Sequence, residues 1–285
     1  LFLSLLISSA NAGFSEALDA LKTGDFKTAI FNLEKEIDKT EDDTFTPMLY
    51  AVLANSYYQA PDDIDNDYKL AFKNYLIAAK RFDSDVQYKL GVMYDTGQGV
   101  EQDFTKAIEH FEQSIKYKEK PYSLWRLGKI YLLGKGVAKD YDKAKEYFER
   151  AEAVGDANSQ FELGHIHEYG KGMPISIPRA IHYYEKSAKQ GDADAQYKLD
   201  LLTGKVDKKD WHADFETALD FTYGYTVDVD FDKAIEYYQK AADKGSAVSL
   251  YNIGFIVNLT SKTKQSKLEL EYYKKSAELG NIYAQ

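Results

Sequence analysis

Between Pro121 and Gly155 apolar residues fall at Leu124, Leu127, Gly128 and Tyr131, and again, after a polar break, at Ala144, Tyr147, Phe148 and Ala151. Steps of three and four place side chains on one face of an α-helix, so the segment predicts two amphipathic helices. Gly134-Lys135-Gly136 lies between them. Glycine ends a helix there because it enters the left-handed backbone of a C-terminal cap without a Cβ clash. Asp140 stands just before the second helix, where a carboxylate accepts hydrogen bonds from the first, otherwise unpaired N–H groups. Gly155 closes the unit.

The same offsets recur along the chain. Gly97-Gln98-Gly99-Val100, Gly134-Lys135-Gly136-Val137 and Gly170-Lys171-Gly172-Met173 are copies of one loop, with a worn copy at Gly224-Tyr225-Thr226-Val227. Pairs recur at His110-Phe111, Tyr147-Phe148, Tyr183-Tyr184, Tyr237-Tyr238 and Tyr272-Tyr273, and closing glycines at Gly155, Gly191, Gly245 and Gly280. Ala29, Ala71, Ala107, Ala144, Ala180 and Ala234 follow Asp25, Asp67, Asp103, Asp140, Ser176 and Asp230 by four positions, at intervals of 42, 36, 37, 36 and 54 residues. A period of about 36 residues means one supersecondary element stacked many times, because a single unit cannot bury its own apolar face. Small residues at the alanine position let helices approach, and the aromatic pairs are expected to fill the space between successive units.

Leu127-Gly128, Tyr131, Gly134-x-Gly136-Val137, Asp140, Lys143-Ala144, Tyr147-Phe148, Ala151 and Gly155 together resemble the Sel1-like repeat, a tetratricopeptide-type unit with a longer, glycine-bearing loop between its helices. Copies stand at Leu90-Gly91 to Ala107 and Leu163-Gly164 to Gly191, with a partial copy from Tyr223 to Gly254. The resemblance implies an all-α, right-handed solenoid of stacked antiparallel helix pairs, about seven to eight of them over 13–285. It also implies binding rather than catalysis, by a scaffold or regulator. The pattern departs from the family in three places. The opening unit lacks the G-x-G loop, Pro61 to Asp67 form an acidic loop, and one helix is expected to be missing near 203–223, where the alanine interval stretches to 54 residues.

Residues Leu1 to Ala12 form an apolar run ending in Ala10-Asn11-Ala12, the small-x-small pattern of an export-signal cleavage site. The expectation is a partial signal peptide over 1–12 and an exported protein, periplasmic or secreted from a bacterium. With no cysteine, disulfides, thiolate metal sites and cysteine nucleophiles are excluded. A net charge of −10 argues against nucleic acid, whose phosphates need Lys and Arg. His165 and His167, two apart on a helix, point away from each other and cannot readily share a metal. By register His167 takes the place of Tyr94 and Tyr131, and His110 that of Tyr147. No serine elbow or phosphate-cradling loop occurs. The expectation is a non-catalytic chain with no cofactor and no metal.

In tetratricopeptide-type solenoids the first helix of each pair lines the concave side. Residues two before, two after and five after the leucine of the Leu-Gly step share one stripe of that helix. The stripe runs through Tyr88, Trp125, Lys129, Phe161, His165 and Tyr251, with Tyr197 extending the aromatic column in the worn unit. Aromatics interleaved with polar groups suit a protein or peptide partner, and Trp125 is the strongest candidate because tryptophan is enriched at binding hot spots. The rival reading is a cell-wall-related enzyme or carbohydrate binder, which clustered carboxylates beside a tryptophan would favour.

Overall fold

The computed structural model describes residues 12–40, 45–60, 67–80, 83–116, 118–205, 211–224, 227, 229–260 and 267–279. Fifteen helices and no strand occur among them. The expected export signal up to residue 11, the expected acidic loop at 61–66, and residues 206–210, 225–226, 261–266 and 280–285 lie outside the described residues.

The chain divides into two compact units, Leu1–Ser123 and Leu124–Gln285. The first holds α1 (Ala12–Thr23) and α2 (Phe26–Ile37), α3 (Thr46–Gln59) and α4 (Tyr68–Ala78), and α5 (Ser84–Thr96) and α6 (Phe104–Ile115). Its core gathers Leu33, Leu49, Leu53, Tyr75, Leu90 and Met93. Most of α7 (Pro121–Leu133) belongs to the second unit, with α8 (Tyr141–Ala153), α9 (Ala157–Tyr169), α10 (Ile177–Ala188) and α11 (Ala193–Leu202). The chain continues through α12 (His212–Tyr223), α13 (Phe231–Asp243), α14 (Ala247–Thr260) and α15 (Lys267–Glu278).

Each repeat is built by the same few contacts. The alanines Ala29, Ala71, Ala107, Ala144, Ala180 and Ala234 are all 0% exposed. The glycine of the Leu-Gly step receives the second aromatic of the following helix. A Cβ on Gly91 or Gly164 would come within 2.6 Å of the Phe111 or Tyr184 ring, and one on Gly128 would enter the Phe148 ring. The first aromatic of the pair stacks sixteen positions back: Tyr94 on His110 at 5.4 Å, Tyr131 on Tyr147 at 5.8 Å, His167 on Tyr183 at 5.6 Å and Phe221 on Tyr237 at 5.8 Å. His110 and His167 therefore serve as flat ring fillers, as their register implies. The pairs fill the space between the two helices of one unit, not between successive units as the sequence suggested.

The caps explain why the helices start where they do. Asp103, Asp140 and Asp230 accept the N–H of Lys106, Lys143 and Lys233 at 3.0–3.1 Å. Their own N–H groups donate to the carbonyls of Tyr94, Tyr131 and Phe221, tying each second helix to the first. Ser176 makes no side-chain cap, and the next residue but one, Pro178, has no N–H to offer.

The rhythm changes after α11. Nine residues separate Leu202 from His212, too few for another helix of the usual twelve. By its Phe221–Tyr237 stack and its Asp230 cap, α12 is again a first helix. Two first helices thus follow one another.

Candidate functional site

Around this irregularity the second unit opens a pocket of about 280 Å³. The side chains come from α7 (Trp125), α9 (Asn158, Phe161, Glu162), the α10–α11 turn (Gln190, Asp192), α11 (Asp194), the end of α12 (Tyr223) and α14 (Tyr251, Asn252, Phe255). Five aromatic rings and three carboxylates face one volume, and no lysine or arginine is among the lining residues.

The carboxylates are held by the chain itself. Asp192 caps α11, one oxygen accepting from the N–H of Asp194 and Ala195 at 3.0 Å and the other from the Ser187 hydroxyl at 2.7 Å. Asp194 accepts from the Tyr223 hydroxyl at 3.0 Å and from the Asn252 amide at 2.9 Å. Glu162, 1% exposed, pairs with Lys129 at 3.0 Å. Lys129 also donates to the Tyr223 carbonyl at 3.3 Å.

Burial, and after it the charge of Asp192, pushes the Asp194 carboxyl from its ordinary 3.8 up to about 6, against the pull of Asn252, Tyr223 and Lys198. Burial raises Asp192 as well. It also lifts the neighbouring hydroxyls of Tyr223, Tyr238 and Tyr251, so these stay neutral beside the carboxylates.

A native carboxyl with a raised pKa holds its proton longer than the unfolded chain does. Stability therefore falls as pH rises between about 4 and 6, and stays lowered above that window. Asp194→Asn removes this cost, and Asn keeps the acceptor for Asn252. The variant is expected to be more stable at pH 7 by about 1 to 3 kcal/mol, with most of the gain gone at pH 4. Urea unfolding at the two pH values checks this, and a variant less stable than wild type at pH 7 contradicts it.

The sequence-derived stripe converges only in part. Trp125, Phe161 and Tyr251 meet in the pocket, and Lys129 reaches it through Glu162 and lies 5.1 Å from the Tyr223 ring. His165 is 3% exposed, packed between Phe161 at 5.1 Å and Tyr169 at 4.9 Å. Burial first, then Lys198, Lys129 and Lys171, holds it well below the usual histidine range, so it is neutral. Tyr197 is 8% exposed and packs on Phe215 and Trp211, outside the pocket lining. Tyr88 belongs to the first unit, tilted against Phe111 and Tyr122. The sequence reading missed Glu162, Asp192, Asp194, Tyr223 and Asn252. Only the Asp-Ala-Asp step after Gly191 hinted at them, and it reads as an ordinary cap.

A family model described as "Sel1 repeat" matches residues 50–81, 84–116, 121–156, 157–192, 217–246 and 270–281, more than half of the chain. The chain belongs to the Sel1 repeat family. The Sel1 repeat matches skip 193–216, the stretch that holds α11 and the start of α12. Among solved structures, a Sel1 repeat protein from Oxalobacter formigenes is similar at 24% identity, covering 93% of this chain and 98% of its own, with a TM-score of 0.58. The protective antigen c5321 of uropathogenic Escherichia coli, described as displaying an SLR fold, is similar at 22% identity over 96% of this chain and 66% of its own, with a TM-score of 0.55. A tetratricopeptide repeat protein from Parabacteroides merdae shares 15% identity over 95% of this chain and 93% of its own, with a TM-score of 0.51. No functionally curated protein matches the chain. These neighbours establish the fold as an α-solenoid of stacked helix pairs. Sel1 repeats are typically protein-interaction scaffolds. No described helix is long and apolar enough to cross a membrane, and no cluster of potential metal ligands occurs among the described residues.

Proposed function

We propose that this Sel1 repeat protein is a non-catalytic scaffold or regulator that binds a polypeptide partner at the Trp125–Phe161–Tyr251 pocket. The observation that supports this is the pocket itself: aromatic faces beside amide groups from Asn158, Gln190 and Asn252 offer apolar contact and peptide-like hydrogen bonding together. The apolar run from Leu1 to Ala12, with its Ala10-Asn11-Ala12 end, supports export and with it a partner outside the cytoplasm, which cell fractionation tests.

Trp125 beside three carboxylates also favours the second reading, a carbohydrate binder or cell-wall enzyme. The polypeptide reading is preferred because the carboxylates are engaged within the chain, by Lys129, by the α11 cap and by Tyr223 and Asn252. An acid–base pair working on a glycosidic bond needs its oxygens free to reach the substrate. Turnover of peptidoglycan fragments, lost in one carboxylate variant, would displace the scaffold reading.

Trp125→Ala is expected to weaken capture of the partner by cross-linking in the native cell, while costing less stability than Leu127→Ala. Leu127 is fully buried, so its truncation opens a cavity worth about 2 to 5 kcal/mol. Equal losses of stability in the two variants, with capture unchanged, would remove the pocket from the binding surface.

A further inference from the structure

We propose that the pocket receives a lysine or arginine side chain of the polypeptide partner, held against the aromatic rings of Trp125, Tyr251 and Phe255 with Asp192 and Asp194 as its counter-charge. This deepens the polypeptide-binding reading and rests on it. Asp194 is buried and Asp192 partly buried, yet the partners of both are neutral: backbone N–H groups, two hydroxyls and one amide. Among the described residues no cation lies within ion-pair distance of either. Lys129 is committed to Glu162 and to the Tyr223 carbonyl, and Lys198 to Glu216 and Glu168.

A carboxylate withdrawn from water without a counter-ion is costly, and within the pocket this cost falls on Asp194 and, less, on Asp192. The raised Asp194 carboxyl shows the same cost from the proton's side. An ammonium or guanidinium entering from a partner would relieve it. Aromatic faces add to the attraction, since a cation within about 6 Å of a ring centroid is drawn to its negative face. Phe255, among the lining residues, is 45% exposed and leaves an apolar surface open at the pocket. The volume of about 280 Å³ lies below the range of roughly 300–1,000 Å³ of small-molecule pockets and suits one side chain. A net charge of −10 steers a basic partner toward the chain.

The test uses the full chain and three capped pentapeptides, Gly-Gly-Lys-Gly-Gly, Gly-Gly-Arg-Gly-Gly and the neutral Gly-Gly-Gln-Gly-Gly. Binding is followed by NMR on the Trp125 indole resonance, assigned with Trp211→Phe. At least one basic peptide should saturate the shift, with affinity at least tenfold above the neutral peptide. Asp194→Asn should weaken that binding at least fivefold while making the chain more stable, which separates lost binding from lost folding. Phe255→Ala, at an exposed position, should weaken it without changing the unfolding curve. Equal binding of the neutral peptide, basic peptides that leave Trp125 unshifted, or full affinity in Asp194→Asn would overturn the proposal. A photo-cross-linker at Tyr251 in the native cell keeps the two readings apart. A polypeptide trapped through a neutral side chain overturns the cation site and leaves polypeptide binding standing. A glycan trapped instead overturns both.

Discussion

Lys198→Ala is expected to lower the unfolding free energy by about 3 to 5 kcal/mol, the loss that follows when one partner of a buried charge network is removed. Lys198 is 0% exposed on α11. Its ammonium reaches Glu216 of α12 at 2.7 Å, the Tyr169 hydroxyl at 2.8 Å and Glu168 of α9 at 3.5 Å. Glu168 accepts in turn from the Tyr184 hydroxyl at 2.6 Å, and Glu216 from that of Tyr169 at 3.1 Å. Without the lysine, two carboxylates would face each other in a partly dry space. The network also stands where a second helix is missing, so it joins α9, α11 and α12 by charge where other repeats use an aromatic pair. Lys198→Met keeps most of the buried stem, so a loss close to that of Lys198→Ala identifies charge as the cause. Chemical unfolding at pH 7 measures both, and a cost below about 1 kcal/mol for Lys198→Ala would mean that the network is replaceable by water.

Much of this architecture is readable from the chain because each unit restates the same local demands. A glycine where an aromatic ring must lie flat, an alanine where helices touch and an aspartate ahead of a helix are each fixed by neighbours within about 20 residues. The stripe was legible for the same reason where units are regular, and Trp125 and Phe161 do meet. It failed at Tyr197 because burial of a first helix depends on the helix that follows. Where that helix is missing, Tyr197 turns onto Trp211 and Phe215. The acidic side of the pocket was illegible because it depends on long-range pairing: Asp194 meets Tyr223 across 29 positions and Asn252 across 58. No periodic rule connects such residues, and each alone has an ordinary structural role.

Phe148→Ala is expected to cost about 3 to 5 kcal/mol, and Gly128→Ala should suppress part of that loss although it is harmful alone. Phe148 is 0% exposed, and its ring occupies the space over Gly128 that a Cβ would need. In the wild-type background the added methyl pushes α8 away from α7, at about 1 to 3 kcal/mol for overpacking. Against this, alanine gains about 1 kcal/mol over glycine in a helix interior. With Phe148 truncated the clash disappears, the helix gain remains, and the methyl fills a little of the cavity. The sign of Gly128→Ala is therefore expected to reverse between the two backgrounds, a coupling of more than about 1 kcal/mol in a double-mutant cycle. Gly164 with Tyr184 offers the same cycle one repeat later, where the ring also carries the hydroxyl bonded to Glu168. There the rescue by alanine should be smaller, because truncating Tyr184 also strips Glu168 of a donor that a methyl cannot replace. Additive costs at Gly128 and Phe148 would mean that the helices separate freely, and the glycine would then have no packing role in the repeat.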